Sequence, residues 1–333
     1  MSKILGSVAA AFLTGWSPLG AMAVAAPWPG DLPHYDHIII VVAENKDFEQ
    51  IIGNRVAPYL NKLATEGTVL THMFGEEHNS EGNYFWLFSG SNQNVGFEDR
   101  VPTAKFTISN LGQQLIAKGL SFKGYSQSLP AIGSDVDVVP SGCTYPCLYG
   151  RKHVPWISFA NVPDGTTVET SSNLRFTDFP SDYATLPTVA FVIPDMEHDM
   201  HNGGLEDSIQ VGDAWLQQNI DAYYQWAKTH NSLLIVTFDE NDDKDGYRGL
   251  TNPAVKPDHD QFRRDLQNHI ATIFAGAHVK AGYADAEPVT HVNILRTIEA
   301  MYGLAKSGAQ QPNAFGNGIG DDAIVTGAFE PVK

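Results

Sequence analysis

The sequence predicts an α/β fold in which a mostly parallel central sheet is covered by helices on both faces. Short apolar, β-rich runs alternate with amphipathic stretches along the chain, as in successive strand–helix–strand units. The runs are apolar almost without interruption, so both faces of each strand should be buried. With 333 residues, 43% of them hydrophobic and 18% charged, the chain can bury the core of one large domain.

Six strands are predicted from apolar runs bounded by turn-forming or polar residues. In chain order they cover 37–43, 68–74, 121–126, 188–194, 233–238 and 269–276. Helices are predicted between them, at about 56–66, 82–90, 107–118, 206–229 and 291–303. The helix at 107–118 has the clearest ends, because polar residues precede it and Gly119 follows it.

Two segments interrupt this alternation. Residues 127–182 are rich in Pro, Gly, Ser and Asp, and residues 241–268 are rich in Asp, Asn and Lys. Loops of this length are usually functional, so we interpret both segments as insertions that cross the edge of the sheet where the site lies.

The N-terminus is typical of a secretory signal peptide covering residues 1–25. A lysine near the start is followed by the apolar stretch ILGSVAAAFLTGW and by the small residues of AMAVAA. A retained membrane anchor is the alternative, but glycine, serine and proline break the apolar segment below the roughly 20 residues that span a bilayer. We therefore expect cleavage after Ala25 and one soluble domain, residues 26–333, that is secreted or periplasmic.

Two cysteines, Cys143 and Cys147, lie in the loop sequence SGCTYPCLYG. An exported chain meets oxidising conditions, so we predict a local disulfide between them. A metal pair is the alternative, but it would need further soft ligands and the chain has no other cysteine.

The formal net charge of −17 and the pI near 5.0 argue against nucleic acid or a strongly anionic membrane as a non-specific partner. An anionic substrate would need positive charge concentrated locally, by a metal ion or by a few basic side chains. The triplet Arg151, Lys152 and His153 in YGRKHVPW could supply part of it.

Polar residues follow four of the predicted strands at their carboxyl ends, where open α/β sheets bind ligands. Any one of them could simply cap the helix that follows a strand, but four strand ends together favour a functional site. The residues are Glu44 and Asn45 after the first strand, His78, Ser80 and Asn83 after the second, Asp195, His198, Asp199 and His201 after the fourth, and Asp239 and Glu240 after the fifth.

Several of these residues carry the hard oxygen donors that Ca²⁺, Mg²⁺ or Mn²⁺ prefers: Glu44, Asn45, Asp239 and Glu240. The hydroxyl of Ser80 could complete the ligand shell. A serine bound to a cation loses its proton more readily and becomes a competent nucleophile.

The acidic run NDDKDG allows a second interpretation, because it resembles the start of a calcium-binding loop from Asn241 to Gly246. However, the twelfth loop position is Asn252 where a bidentate glutamate is required, and no clear helix precedes the run. A solvated acidic loop explains the run more simply.

In order along the chain, these motifs resemble the bacterial phosphoesterase family that contains secreted acid phosphatases, phosphatidylinositol-phosphate phosphatases and non-haemolytic phospholipases C. This family shares the fold of the alkaline phosphatase superfamily. The resemblance extends over residues 35–304 and is carried by HIIIVVAENKDFEQIIG, EEHNSEGNYFWLFSG, YGRKHVPW, DMHNGG, GDAWL, TFDEND, NHIATIFAGAHVKAG and THVNILRTIEAMYGL.

The resemblance implies that the carboxylates and amide above bind metal and that Ser80 is the metal-bound nucleophile. We assign Asp199 and His201 to proton transfer. The side chains predicted to bind substrate are His78, Asn83, Lys152, His153, His269 and His291.

The sequence departs from the family pattern in HNS, where HPS is more familiar, in KHVP, where KHNP is usual, and at Gly82–Asn83, where the superfamily has a Pro–Asn pair. Asp199 also stands where a histidine ligand of a second zinc ion is usual. We therefore expect one divalent ion, with His153, His201 and His269 in place of the second; its identity among Ca, Mg, Mn and Zn is left open.

The predicted activity is metal-dependent hydrolysis of a small phosphomonoester or a phospholipid head group through a serine–phosphate intermediate. A phospholipase C is the first alternative. The short chain and the lack of an amphipathic membrane helix favour the phosphatase, although NYFWLFSG and the region of Trp156 could receive an acyl chain instead of forming core. A non-catalytic calcium-binding extracellular protein is the second alternative, and it predicts bound metal without turnover.

Overall fold

The computed structural model describes most of the chain between residues 32 and 331. The described ranges are 32–78, 80–95, 101–102, 104–144, 146–242, 268–308, 319–320 and 322–331. The predicted signal peptide and most of the insertion at 241–268, including the calcium-loop sequence after Asp242, lie outside the described residues.

A nine-stranded sheet forms the centre of the fold. Its strands in chain order are β1 (His37–Ala43), β2 (Thr68–Phe74), β3 (Phe122–Ser126), β6 (Asn173–Arg175), β7 (Val189–Ile193), β8 (Ser232–Phe238), β9 (His269–Gly276), β10 (Tyr283–Asp285) and β11 (Val289–Thr290). The two-residue strands β4 (Val138–Val139) and β5 (Tyr149–Gly150) pair with each other outside this sheet.

The spatial order is β10–β2–β9–β8–β1–β7–β3–β6, with β11 also paired to β2. β9 runs antiparallel to both β2 and β8, and the other neighbouring strands of this sheet are parallel. The predicted mostly parallel sheet is confirmed, and each of the six predicted strands lies within one residue of its observed bounds. The short edge strands β6, β10 and β11 were not predicted, because two or three residues carry no readable periodicity.

Six helices are described: α1 (Phe48–Ile51), α2 (Pro58–Glu66), α3 (Ser80–Ser89), α4 (Leu111–Ala117), α5 (Leu205–Ala227) and α6 (His291–Met301). α1 was not predicted, and α4 begins four residues later than predicted, because the side chain of Asn110 caps it by accepting from the backbone N–H of Gln113 at 2.8 Å. α3 begins two residues earlier than predicted, which makes Ser80 its first residue.

The helices pack in two groups. α2 contacts α5, and both contact β9, whereas α3 contacts α4 and α6. The central strands β7 and β8 are buried along their whole length, and β1 is buried from Ile38 onward. This burial on both faces matches the predicted layers of helix, sheet and helix. Among the described residues, no helix combines the length and apolar character that crossing a bilayer requires.

The insertion at 127–182 lies against the segment that follows β7. The backbone N–H of Met196 donates to the carbonyl of Leu148 at 2.8 Å, and the side chain of Asn202 donates to the carbonyl of Cys147 at 3.0 Å. Cys147 forms the predicted disulfide with Cys143, with Cα atoms 5.8 Å apart. The insertion therefore covers the carboxyl end of β7, as the sequence predicted.

Helix α2 has no capping side chain of its own, because Ala57 precedes it. Asp213 on α5 supplies the acceptors. Its carboxylate accepts from the backbone N–H groups of Tyr59 and Leu60 at 2.9 and 2.8 Å. A buried negative charge at a helix N-terminus also interacts favourably with the helix dipole. This side chain therefore joins α5 to α2.

Replacing Asp213 with alanine should lower the free energy of unfolding by about 2 kcal/mol, because two buried N–H groups lose their acceptor. Asp213→Asn is the matched control, since its single carbonyl oxygen still accepts one hydrogen bond, and we expect about half the loss. Urea denaturation followed by circular dichroism gives both values. An alanine variant as stable as the parent protein would contradict this role.

Candidate active site

Carboxylates from three neighbouring strands meet at one edge of the sheet. Glu44 follows β1, Asp199 lies beyond β7, and Asp239 and Glu240 follow β8. β1 lies between β7 and β8, so their carboxyl ends are adjacent. The backbone N–H of Glu44 donates to the carbonyl of Asp199 at 2.7 Å, and all four side chains are at most 2% exposed. We call these four residues the carboxylate cluster.

Ser80 joins this cluster from the N-terminus of α3. Its Oγ lies 3.0 Å from Oε2 of Glu44 and 3.2 Å from Oε1 of Glu240, within hydrogen-bonding distance of both. The side chain is buried. A serine hydroxyl held between two carboxylates has an acceptor for its proton in either direction, which suits a nucleophile.

Asn45 follows Glu44 in a left-handed backbone conformation, with φ of 42°. Asparagine tolerates this conformation better than most residues. Its backbone N–H donates to Oδ1 of Asp239 at 3.2 Å, and its Nδ2 donates to Oε1 of Glu240 at 3.0 Å. The left-handed turn therefore presents the side-chain amide to the two carboxylates that follow β8, the neighbouring strand in the sheet.

His153 approaches the same cluster from the insertion at 127–182. Its Nε2 lies 3.1 Å from Oε1 of Glu44, and its Nδ1 lies 3.8 Å from Oδ2 of Asp199. One ligand atom from each of these three residues falls within 4.8 Å of the others, close enough for all three to hold one metal ion. The sequence predicted His153 as a substrate-binding residue; its position also makes it a candidate metal ligand.

Several buried ligand-type atoms of the site have no hydrogen-bond partner among the described residues. Buried polar atoms are normally paired, so such a group of orphans needs an explanation. A divalent cation fits, because the atoms are carboxylate or amide oxygens and one imidazole nitrogen. They are Oδ1 of Asn45, Oδ2 of Asp199, Oδ2 of Asp239 and Nε2 of His153. The last of these lies 3.1 Å from Oε1 of Glu44, but without the geometry of a hydrogen bond.

The electrostatics of the cluster agree with that fit. Burial raises the pKa of the Asp199 carboxyl well above its usual range, and the charge of Glu44 adds to the rise. Burial likewise raises the pKa of Asp239, with further contributions from Glu44 and Glu240. Burial lowers the pKa of His153 well below its usual value, so the ring does not neutralise the carboxylates. Bound positive charge would relieve this repulsion.

Three other predicted residues lie beside the cluster. Nδ1 of His78 is 3.4 Å from Oε2 of Glu240. The backbone N–H of His201 donates to Oδ1 of Asp199 at 2.8 Å, and its ring centre is 6.3 Å from that of His153. Lys152 is half-buried and close enough to depress the pKa of the His153 ring.

The remaining predicted substrate-binding residues make other contacts. Asn83 accepts from the backbone N–H groups of the turn before Ser80, and His291 is fully buried with both ring nitrogens near acceptors. His269 stacks on Phe48, with ring centres 4.5 Å apart, and its Nε2 lies 2.9 Å from the carbonyl of Thr71. These three side chains are held by the protein interior, and their contacts with described residues include no member of the carboxylate cluster.

Two residues of the site were missed. Tyr84 donates its hydroxyl to Oε1 of Glu44 at 2.6 Å, and its ring stacks on His153 with centres 5.0 Å apart. Lys46 is buried, and its Nζ donates to the carbonyls of Asn45 and Met200 at 2.9 and 2.8 Å. The signal for Tyr84 was its position four residues after Ser80, one helical turn away on the same face.

The aromatic stretch considered as an acyl-chain site belongs to the core. All ten residues of α3 are buried, and Trp156 is 1% exposed with its Nε1 donating to Oδ1 of Asn173 at 2.9 Å. The core interpretation of both segments is therefore the correct one.

The sequence of this chain is similar to those of several phosphatases. The chain is 39% identical over 307 residues to a phosphatidylinositol-3-phosphatase of Mycobacterium tuberculosis, covering 92% of this chain and 89% of that protein. It is 29% identical to a probable acid phosphatase of Kluyveromyces lactis and 27% identical to a phosphate-repressible acid phosphatase of Penicillium chrysogenum, over 62% and 82% of this chain. The matches span 48% and 60% of those two longer proteins.

Solved structures support the fold. A protein of the alkaline phosphatase superfamily from Vibrio parahaemolyticus aligns with a TM-score of 0.55 at 9% identity, over 83% of this chain and 70% of that one. The lipoteichoic acid synthase LtaP from Listeria monocytogenes aligns with a TM-score of 0.50 at 11% identity, over 83% and 73%. The family model described as the phosphoesterase family matches residues 54–305. The chain therefore belongs to the phosphoesterase family.

Proposed function

We propose that this protein is an exported, metal-dependent phosphatase that hydrolyses phosphate monoesters through a phosphoserine at Ser80. Its family already makes it a hydrolase of phosphoric ester bonds. The observation that carries the more specific proposal is the position of the Ser80 hydroxyl, held between Glu44 and Glu240 beside buried donor atoms that have no partner.

One divalent ion would be held by the predicted set of Glu44, Asn45, Ser80, Asp239 and Glu240. His153, which lies beside Oε1 of Glu44, and Asp199 offer further donor atoms. When bound, the ion supplies positive charge that lowers the pKa of the Ser80 hydroxyl and stabilises negative charge on the phosphoryl oxygens.

Ser80 acts first. Its Oγ loses its proton toward the adjacent carboxylate of Glu44 or Glu240 and attacks phosphorus in line with the ester oxygen. The new Oγ–P bond forms as the P–O bond to the alcohol breaks. Placement at the first residue of α3 also directs the N-terminal end of a helix toward the transferred anion.

Asp199 and His201 handle the protons of the two half-reactions. His201 is partly buried beside the cluster, and its backbone N–H donates to Oδ1 of Asp199 at 2.8 Å. In this proposal His201 protonates the departing alkoxide and then takes a proton from the water that hydrolyses the phosphoserine. Lys152 and His78 flank the cluster and would hold the phosphate oxygens.

Two findings support a monoester as the substrate. The relative with 39% identity is named a phosphatidylinositol-3-phosphatase, so a small phosphomonoester or a phosphorylated lipid head group fits best. The burial of α3 and Trp156 also leaves neither aromatic segment exposed to receive an acyl chain. The non-catalytic calcium-binding alternative gives no reason for a serine hydroxyl between two buried carboxylates.

Export is supported by the signal sequence at 1–25 and by the disulfide between Cys143 and Cys147, a bond that persists in oxidising compartments. We propose that residues 26–333 act as one catalytic domain.

Purified mature protein should release nitrophenol from nitrophenyl phosphate, and a chelator should abolish this activity. The reason is that the buried carboxylates need a cation before they can position the substrate. The corresponding phosphocholine diester should be a much poorer substrate. Elemental analysis should give one divalent ion per chain; two ions would make Glu44, His153 and Asp199 a separate site. Preference for the diester would contradict the monoester assignment, and bound metal without turnover of either compound would favour the binding-protein alternative.

Ser80→Ala should lower kcat/KM for nitrophenyl phosphate by about 1,000-fold or more, since the covalent step loses its nucleophile. Ser89→Ala is the matched control, because Ser89 is a buried serine on the same helix. Its hydroxyl donates to the carbonyls of Phe85 and Ser91 and accepts from the side chain of Gln93. A Ser80 variant that keeps more than about a tenth of the activity would rule out the nucleophile assignment.

Glu44→Gln should weaken binding of Mn²⁺ and reduce turnover, yet raise the stability of the metal-free protein by about 0.5–2 kcal/mol, because it removes one buried negative charge. Glu66→Gln is the control, since Glu66 also accepts from a tyrosine hydroxyl, that of Tyr224, but lies at the end of α2. Calorimetric Mn²⁺ titration and thermal unfolding with and without metal measure both effects. A metal-free Glu44→Gln variant less stable than the parent would show that the charge is already compensated.

A further inference from the structure

Two buried side chains outside the proposed ligand set connect the segment before Ser80 to the segment that carries Asp239 and Glu240. They are Asn268, immediately before β9, and His291, the first residue of α6. Both are at most 1% exposed. We call residues Gly75–His78 the serine turn and Asp239 with Glu240 the carboxylate pair.

Asn268 makes the first connection. Its Nδ2 donates to the carbonyl of Glu77 at 2.6 Å, and its Oδ1 accepts from the backbone N–H of Asn241 at 2.7 Å. Its own carbonyl accepts from the N–H of Gly75 at 2.9 Å. One side-chain amide therefore links the serine turn to Asn241, the residue that follows the carboxylate pair.

The local backbone is built to permit this approach. Asn268 has a φ of 58°, a left-handed conformation that asparagine adopts more readily than most residues. A Cβ at Gly75 would collide with Nδ2 of Asn268 and with the carbonyl of Asp239. Glycine in the serine turn is therefore what lets the asparagine and the strand end approach so closely.

His291 makes the second connection. Its Nδ1 lies 2.5 Å from Oε2 of Glu76, and its Nε2 lies 2.8 Å from the carbonyl of Phe238. The other oxygen of Glu76 accepts from the backbone N–H of Val292 at 2.9 Å. The imidazole thus bridges the serine turn and the residue that precedes the carboxylate pair.

The two connections bracket the carboxylate pair, one ending at Phe238 and the other at Asn241. On the opposite side they end at adjacent residues of the serine turn, Glu76 and Glu77. Asn83, on α3, accepts from the backbone N–H groups of both at 3.1 and 2.9 Å. A shift of the serine turn would therefore be passed to the helix that begins at Ser80.

We propose that Asn268 and His291 are positioning residues that set the distance between the Ser80 hydroxyl and the carboxylate pair. This inference rests on the proposed function, because it assigns the two residues to the same reaction. Oγ of Ser80 lies 3.2 Å from Oε1 of Glu240. A displacement of about 1 Å in such a constellation can cost roughly 100-fold in rate, so a rigid link on each side of the pair has a direct catalytic use.

The test uses isosteric variants of the full-length mature protein. His291→Asn keeps a donor near the Nδ1 position and loses the bond to Phe238, whereas His291→Gln keeps a donor near Nε2 and loses the bond to Glu76. Asn268→Asp keeps the acceptor for Asn241 and loses the donor to Glu77. Each variant cuts one side of a connection while retaining similar volume.

Asn293→Asp is the matched control. Asn293 is fully buried on α6, two residues after His291, and its Nδ2 donates to the carbonyls of Gly320 and Ala323 at 2.8 and 3.0 Å. Its Oδ1 accepts from the backbone N–H of Thr290 at 2.9 Å. The substitution therefore makes the same chemical change as Asn268→Asp. The side-chain hydrogen bonds of Asn293 to described residues do not reach the serine turn or the carboxylate pair.

Three quantities are measured for each variant: the thermal midpoint, the Mn²⁺ affinity of the metal-free protein by titration calorimetry, and kcat and KM for nitrophenyl phosphate at saturating Mn²⁺. We expect the Asn268 and His291 variants to lose about 10- to 100-fold in kcat or in Mn²⁺ affinity, with KM changed less than about threefold. The control should lose a similar amount of thermal stability while its Mn²⁺ affinity and kcat stay within about twofold of the parent.

Folded Asn268 and His291 variants that behave like the control would overturn the inference, because their effect would then be on stability alone. If one variant fails to fold, the other two still decide the question. A parent protein that binds Mn²⁺ but turns over neither ester refutes the proposed function, while the Mn²⁺ affinities of the variants still test the positioning. A parent that neither binds Mn²⁺ nor turns over the ester refutes both.

Discussion

Repulsion among buried carboxylates is the constraint that the rest of this structure accommodates. Glu44, Asp199, Asp239 and Glu240 lie almost completely out of solvent at the ends of three adjacent strands. Such charges are costly without compensation, and they persist only where the surrounding structure fixes them. Here the β1, β7 and β8 ladder supplies that rigidity. The core therefore holds a concentration of charge that folding alone does not require.

Much of this arrangement could be predicted because it follows from simple periodicities. The runs that became β1, β2 and β9 were rich in apolar and β-branched residues, and their predicted bounds were correct to the residue. The rule that parallel strands present ligands at their carboxyl ends then located Glu44 and the Asp239–Glu240 pair. Predicting the strands needs only local sequence, and locating the site needs only the parallel sheet that alternating strands and helices usually form.

The same rule explains what was missed. β9 is antiparallel to its neighbours, so its beginning, and not its end, lies at the site, and Asn268 comes before that strand. Tyr84 was read as core because it stands in an aromatic run, and only the three-dimensional position of His153 gives it a second contact. The assignment of His291 and Asn83 to substrate stays a prediction. The structure shows both side chains in buried contacts, and a sequence does not show whether a polar side chain near a strand end turns outward or inward.

The antiparallel strand also shapes how this protein tolerates change. The backbone N–H of Asn241 bonds directly to the side chain of Asn268, so the chain leaves the site and returns to it at one point. Because the entropy of closing a loop grows only slowly with its length, sequence inserted between these two residues should leave the reacting groups where they are.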